Sequence, residues 1–306
     1  MTFNSVFRPG LFDGQVIVVT GGGSGIGRAT AHELTSLGAH VVIVGRDVEK
    51  LATVAKEIAD GGHGDFVSTH RCDIRDEAQV IELLDTTLAT HGRLDGLVNN
   101  AGGQYRQPLK DISSKGFEAV VRLNLFGGFM VMREAYNRWM AEHGGSIVNI
   151  IADIWGGWPA YGHSAAARGG MWTLTQCAAS EWAHSGVRVN CVAPGGIESS
   201  GFDTYEPEAQ EMILQFPPHI PLQRYGNVAE MSGAIVYLLS PAAAYITGSV
   251  IRVDGGGPNH RPCFNPLPGA ARSAAFDGFP LDSGSKLLAE GVRTSARASV
   301  RESMPR

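Results

Sequence analysis

The feature that most constrains this chain is a short β-branched run, Val16-Ile17-Val18-Val19, followed at once by Thr20-Gly21-Gly22-Gly23-Ser24-Gly25-Ile26-Gly27-Arg28. Apolar residues at helical spacing come next: Ile26, Ala29, Leu34 and Leu37, closed by Gly38. A continuous apolar strand without polar alternation is a strand covered on both faces, as in a parallel sheet. Glycines between such a strand and a helix let the backbone approach an anion closely. The helix N-terminus then offers free N–H groups and the positive end of its dipole. In this reading Gly21 allows the turn, Gly25 the close approach of phosphate, and Gly27 the close packing of helix on strand, with Ser24 and Ile26 completing the loop. The expected ligand is the pyrophosphate of a dinucleotide.

The same alternation recurs along the chain. Val41 to Val44, a strand beginning at Phe66-Val67, Leu94 to Asn99, Ser146 to Ile151, Val187 to Val192 and Ser249 to Val253 read as strands. Helical patterns stand between them, around Leu51 to Ile58, Glu77 to Gly92, Gly116 to His143, His163 to His184 and 227–240. Repeated strand–helix units imply an α/β fold with a doubly wound parallel sheet in three αβα layers, a Rossmann fold. We read one domain over residues 1–256, with a substrate lid at about 200–225. A C-terminal extension, 257–306, is expected to be partly irregular with a short helix within 285–304. That extension carries seven Lys/Arg against four Asp/Glu.

Composition removes several function classes. A formal charge of −5 argues against binding nucleic acid by bulk charge. No apolar run approaches the ~18 residues of a membrane span. Cys72, Cys177, Cys191 and Cys263 are widely spaced, so no metal site or disulfide framework is expected. The segment Met1 to Gly10 lacks the blocks of a signal peptide, and the chain ends Ser303-Met304-Pro305-Arg306 rather than in a peroxisomal address. The expectation is a cytoplasmic protein.

The G-x-x-x-G-x-G spacing of the loop resembles that of the short-chain dehydrogenase/reductase family. Further motifs carry the resemblance: Asn99-Asn100-Ala101-Gly102 after the fourth strand, Leu123-Asn124-Leu125 on the long helix, Pro194-Gly195-Gly196-Ile197-Glu198-Ser199 after the sixth strand, and Asp254-Gly255-Gly256 after the last. The resemblance covers about residues 12–256. It implies an oxidoreductase with a nicotinamide cofactor. It further implies that Asp73 contacts adenine, that Asn100, with Gly102 beside it, lies along the adenosine half, and that Ile197 and Ser199, after Pro194 and Gly195, hold the nicotinamide carboxamide. Members that use NAD carry an acidic residue at the end of the second strand. Here that strand ends Val44-Gly45-Arg46. A guanidinium attracts a 2′-phosphate and binds it bidentately, so NADP(H) is the expected cofactor, with Arg28 placed to assist. The adjacent Asp47 works against this assignment.

The usual Ser, Tyr and Lys of carbonyl reduction are missing. His163 is read in the Tyr place, Ala167 in the Lys place and Ala152 at the Ser place; Asn124 alone remains. This departure resembles the enoyl-thioester branch of the family, the peroxisomal trans-2-enoyl-CoA reductase-like members, which also share Gly102-Gly103-Gln104, Ile112 to Gly116 and Glu142 to Ile151. The Tyr implied there as proton donor falls at Trp172. In a 2-enoyl thioester the hydride goes to the β-carbon and charge builds on the thioester oxygen, so an alkoxide-protonating Tyr is not required. Tyr161 and His163 are the candidate proton donors beside Asn124. Asp153 is a further candidate carboxylate. Arg168, five residues after His163 and about 140° around the helix, is expected to point away from the site. Phe202, Tyr205, Met212 and Phe216, with Trp155 and Trp158, suit an acyl chain or ring. Three readings stay open: a reductase of enoyl-CoA, a carbonyl or alcohol oxidoreductase with a displaced Tyr161, and an NADP-binding protein with little catalysis. The family's long helices pair across subunits, which implies a homo-oligomer, a tetramer or dimer.

Overall fold

Val16–Thr20 (β1) is buried along its whole length. Ile17 and Val19 face one apolar cluster and Val16 and Val18 the other. Fully burying one such side chain is worth roughly 1.5–3 kcal/mol, and fixing its backbone costs about 1–2 kcal/mol. Only a strand with apolar residues on both faces gains clearly, and β1 is built that way.

The computed structural model describes residues 2–259 and 273–290. The remaining strands are His40–Gly45 (β2), Val67–Arg71 (β3), Gly96–Asn99 (β4), Gly145–Ile150 (β5), Val187–Pro194 (β6) and Val250–Val253 (β7). They form one parallel sheet of seven strands in the order β3-β2-β1-β4-β5-β6-β7. This is the doubly wound Rossmann arrangement expected above. The helices are Gly25–Ser36 (α1), Val48–Ile58 (α2), Glu77–His91 (α3), Ser114–Val121 (α4), Gly128–Ala135 (α5), Ala141–His143 (α6), Gly162–Trp182 (α7), Pro207–Gln215 (α8) and Val228–Leu239 (α9). On one face α1 and α9 bring Leu34, Met231 and Ile235 to the sheet; on the other α3, α5 and α7 bring Leu83, Val131 and Ala178.

Several boundaries differ from the sequence reading for local reasons. The fourth strand starts at Gly96, not Leu94, because the Asp95 carboxylate turns back to accept the Val16 N–H at 2.8 Å. The long helix starts at Ser114, where the Ser113 hydroxyl caps it by accepting from Gly116 N. Within that helix, Arg122–Gly127 and Tyr136–Met140 are π-helical. Residues 200–225, the segment expected to cover the substrate, hold α8 between short 3-10 turns at Ser200–Thr204 and Pro217–His219. Residues 286–290 are helical; the rest of the helix expected within 285–304, and Cys263, lie outside the described residues.

Candidate active site

The strand order reverses between β1 and β4, and ligands of such sheets bind in the crevice beyond the carboxyl ends of the strands at that point. The glycine loop leaves β1 there. Gly25, at φ +51°, has nothing within 4 Å of an added Cβ, so its backbone is open to a ligand. At Gly27 a Cβ would lie 2.3 Å from the Gly21 carbonyl oxygen, so no side chain fits. Ser24 is the N-cap of α1, yet its hydroxyl caps nothing, and the first turn holds no acidic residue. The N–H groups of that turn therefore remain available for an anion. Asn100 does not reach out along the crevice. Its Nδ2 donates to the carbonyls of Thr20 (3.0 Å) and Gly21 (3.3 Å), so it holds the loop against β4.

A cavity of about 400 Å³ brings together Gly21, Ser24, Arg46, Asp73 and Gly102. Arg46 is exposed at its rim and makes no hydrogen bond or ion pair among the described residues. Asp47 is committed elsewhere: one carboxylate oxygen caps α2 by accepting from Glu49 N and Lys50 N, both at 3.1 Å. Lys50 joins Arg46 on the rim, a cation that sequence reasoning missed. Arg28 is not free to assist. It pairs with Glu57 through Nε at 2.7 Å and Nη2 at 3.0 Å and lies over the Phe279 ring. Asp73 is clamped by Arg75, whose Nε donates to it at 2.9 Å; that hydrogen bond holds the carboxyl below its ordinary range.

The other end of the crevice is built on residues 102–104. Three side chains back this segment, one residue each. Arg168 lies behind Gly102, where a Cβ would come within 2.2 Å of its Nη2. Asn124, in the π-helical turn, exchanges two hydrogen bonds with Gly103, accepting from its N–H at 2.9 Å and donating to its carbonyl at 2.8 Å. Ser164 donates to Gln104 Oε1 at 3.1 Å. The expectation that Arg168 points away is corrected here. It rested on counting around the helix from His163, and the residues that α7 turns toward this segment are Ser164 and Arg168, one helical turn apart.

Arg168 is 8% exposed, and its Nη1 donates to the Ile150 carbonyl at the end of β5. Its Nε has no partner, and no carboxylate pairs with it among the described residues. Burial pulls its guanidinium down to about 10, so it is charged at neutral pH. His163 is fully buried. Its Nδ1 accepts the Ser164 N–H at 2.8 Å, its Nε2 has no partner, and its ring sits edge-on to Tyr105. Ala152 is buried just beyond β5 and offers no hydroxyl.

Tyr161 stands at the N-terminal end of α7. Its ring packs against Trp158 with centroids 4.8 Å apart. Burial raises its phenol above the ordinary value; Tyr205 adds to this and Arg106 opposes it. Asp153, whose N–H donates to the Pro194 carbonyl, is likewise raised by burial, with Asp254 adding. On β6's side, Gly195 N donates to Val253 O, Ile197 bridges to Gly226, and Ser199 caps the turn at 200–204. Thus Pro194, Gly195, Ile197 and Ser199 follow one another at the carboxyl end of β6, while Tyr161 stands at the start of α7.

Comparison with known proteins decides the family. Residues 21–257 match the profile of the enoyl-(acyl carrier protein) reductase family. The chain belongs to the short-chain dehydrogenase/reductase family. It is 37% identical to the zebrafish (Danio rerio) peroxisomal 2,4-dienoyl-CoA reductase over 83% of this chain and 85% of that one. It is 39% identical to the 3-oxoacyl-[acyl-carrier-protein] reductase of Synechocystis over 79% and 96%. Among solved structures, the citronellol catabolism dehydrogenase of Pseudomonas aeruginosa is 55% identical, covering 84% of this chain and all of that one, with a TM-score of 0.75.

As a short-chain dehydrogenase/reductase the protein is an oxidoreductase that works with a nicotinamide cofactor. The residues fit such a group: an open glycine at the head of α1, an uncapped first turn, and a rim that carries Arg46, which has no ion pair among the described residues, and Lys50, whose Nζ lies 3.9 Å from Asp47 Oδ2. No helix among the described residues is long and apolar enough to cross a membrane, and none of their His, Cys, Asp and Glu side chains cluster as a metal site.

Proposed function

We propose that this enzyme reduces a carbon–carbon double bond conjugated to an acyl thioester, an enoyl- or dienoyl-CoA, with NADPH. The observation that carries the reading is the buried, unpaired Arg168 behind Gly102, in a site with Ala152 and Ser164 where carbonyl reductases of this family use Ser and Tyr. We take the family's Tyr-x-x-x-Lys spacing to fall at Ser164 and Arg168, not at His163 and Ala167. The relative named 2,4-dienoyl-CoA reductase supports the same choice.

When bound, the reduced nicotinamide supplies a hydride. The protein's residues do the rest. Ser24, Gly25, Ile26 and Gly27 receive the pyrophosphate with the N-terminal turn of α1. Arg46, with Lys50, takes the 2′-phosphate, Asp73 and Gly102 border the adenosine, and Ile197 and Ser199 hold the carboxamide. Arg168 supplies a fixed positive charge in a low-dielectric crevice, where it stabilises developing negative charge without reorganisation. Asn124 and Asn100 are positioning residues that hold Gly103 and the glycine loop. Tyr161, kept protonated by burial, is the proton donor from the lid side, and residues 200–225 cover the acyl chain. His163 is buried structure behind Tyr105 in this reading. The free Cys72, Cys177 and Cys191 suit a cytoplasmic enzyme, and exposed Phe117 and Phe126 on the long helical run suit a homo-oligomer.

The 55% identical citronellol catabolism dehydrogenase favours a second reading, oxidation of an acyclic alcohol with Tyr161 as the acid–base group. Spectrophotometry separates the two. NADPH consumption with crotonyl-CoA or a 2,4-dienoyl-CoA, but not with ketones, is the expected result. Turnover confined to NADP⁺ with citronellol, or to ketones, would overturn it.

A further inference from the structure

The C-terminal segment returns to the front of the molecule and grips the start of the lid. Residues 273–282 first pass along α1 and α9. Asn4 N donates to the Gly278 carbonyl at 2.7 Å, Phe279 is buried against Phe3 and His32, and Asn227 Nδ2 donates to the Phe276 carbonyl at 2.9 Å. The chain then meets two carboxylates. Ser285 N donates to Glu198 Oε1 at 2.8 Å, and the Ser285 hydroxyl donates to Asp203 Oδ1 at 2.8 Å. Leu287 N and Lys286 N donate to the two oxygens of Asp203 at 3.1 and 3.3 Å. Asp203 thus caps, across more than 80 residues of sequence, the helical turn at 286–290. Ser285 is 1% exposed, although it belongs to a surface segment.

The placement matters because Glu198 stands between Ile197 and Ser199, and Asp203 lies in the turn that opens the lid. We infer that Asp203 and Ser285 are positioning residues: they strap the C-terminal segment to residues 198–204 and so fix the lid over the substrate. The inference rests on the reading above only in taking 200–225 as the substrate cover. A charge-assisted hydrogen-bond set of this kind is worth more than a neutral one, and each member lost leaves another unpaired.

The test uses the full chain and three variants, Asp203→Asn, Ser285→Ala and the double variant. Hydrogen exchange of residues 197–206 is read together with KM and kcat for the thioester and the dissociation constant of NADPH. We expect exchange about tenfold faster and KM several-fold higher in each single variant, with kcat and NADPH binding nearly unchanged. The double variant should be little worse than Asp203→Asn alone, since Ser285→Ala removes one of the bonds that Asp203→Asn already weakens. Unchanged exchange, or faster exchange with unchanged KM, would overturn the strap. The exchange measurement needs no substrate, so a failure to reduce thioesters is distinguishable from a failure of the strap.

Discussion

Arg168 holds a positive charge to which no described carboxylate gives a counter-charge. A buried ion without a partner costs several kcal/mol, and the proposed function gives Arg168 a use that offsets this cost. Arg168→Leu should therefore lower kcat/KM by about 10²–10³-fold, the scale of losing one preorganised electrostatic donor. Its melting temperature should stay level or rise, because an uncompensated charge is removed. Parallel loss of activity and stability would assign Arg168 a structural role instead. Arg46 acts at a different atom. Arg46→Ala should weaken NADPH far more than NADH in direct titration; equal effects would refute the 2′-phosphate assignment.

His32 sets a pH dependence at the same scale. It is 4% exposed, and burial holds its imidazole down to about 4, against Glu57, which pulls the other way. In the unfolded chain it takes its proton near 6.5. Between those values unfolding binds a proton, so its contribution is complete above about 6.5 and is lost as pH falls toward 4. Urea unfolding at pH 7.5 and pH 5 should show about 2 kcal/mol of pH-dependent loss that His32→Gln abolishes. An identical loss in the variant would assign it to other groups.

At the scale of elements, the strands beneath the site are tied by a buried polar row. Asn99 Nδ2 donates to Asn149 Oδ1 at 3.0 Å, Asn149 Nδ2 donates to Thr175 Oγ1 at 2.9 Å, and Cys191 Sγ donates to the same hydroxyl at 3.1 Å. Asn149→Leu would strand partners on β4 and α7, costing about 2–3 kcal/mol by denaturant unfolding; a cost near zero would mean the row is dispensable. Helix α9 is fixed by a capping box between Asn227 and Glu230. The strands and the glycine loop were legible because their signal is local: β-branched runs, and glycines where Gly27 admits no side chain. The orientation of α7 was not legible. Nothing in His163 to Gly170 states which residues turn inward, and counting from His163 placed Arg168 on the wrong side. Arg28 misled for a related reason, since its partners Glu57 and Phe279 come from distant parts of the chain.

For the whole molecule, the returning C-terminal segment meets residues 198–203, which follow the carboxyl end of β6 in a seven-stranded sheet. Ligand held in the crevice stabilises the entire fold. NADPH at a hundredfold its dissociation constant should add about 2.7 kcal/mol to unfolding, seen as a raised melting temperature that Arg46→Ala largely removes. The C-terminal contacts were beyond sequence reading, because Asp203 and Ser285 look like ordinary polar surface until the chain folds back. The central claim concerns which carbon is reduced, and deuteride transfer tests it most directly. With deuterated NADPH and a 2,4-dienoyl- or 2-enoyl-CoA, mass spectrometry and NMR of the product should place one deuterium on a chain carbon of the conjugated system. Deuterium found only on a carbinol carbon of ketone substrates, with the thioesters untouched, would contradict the account.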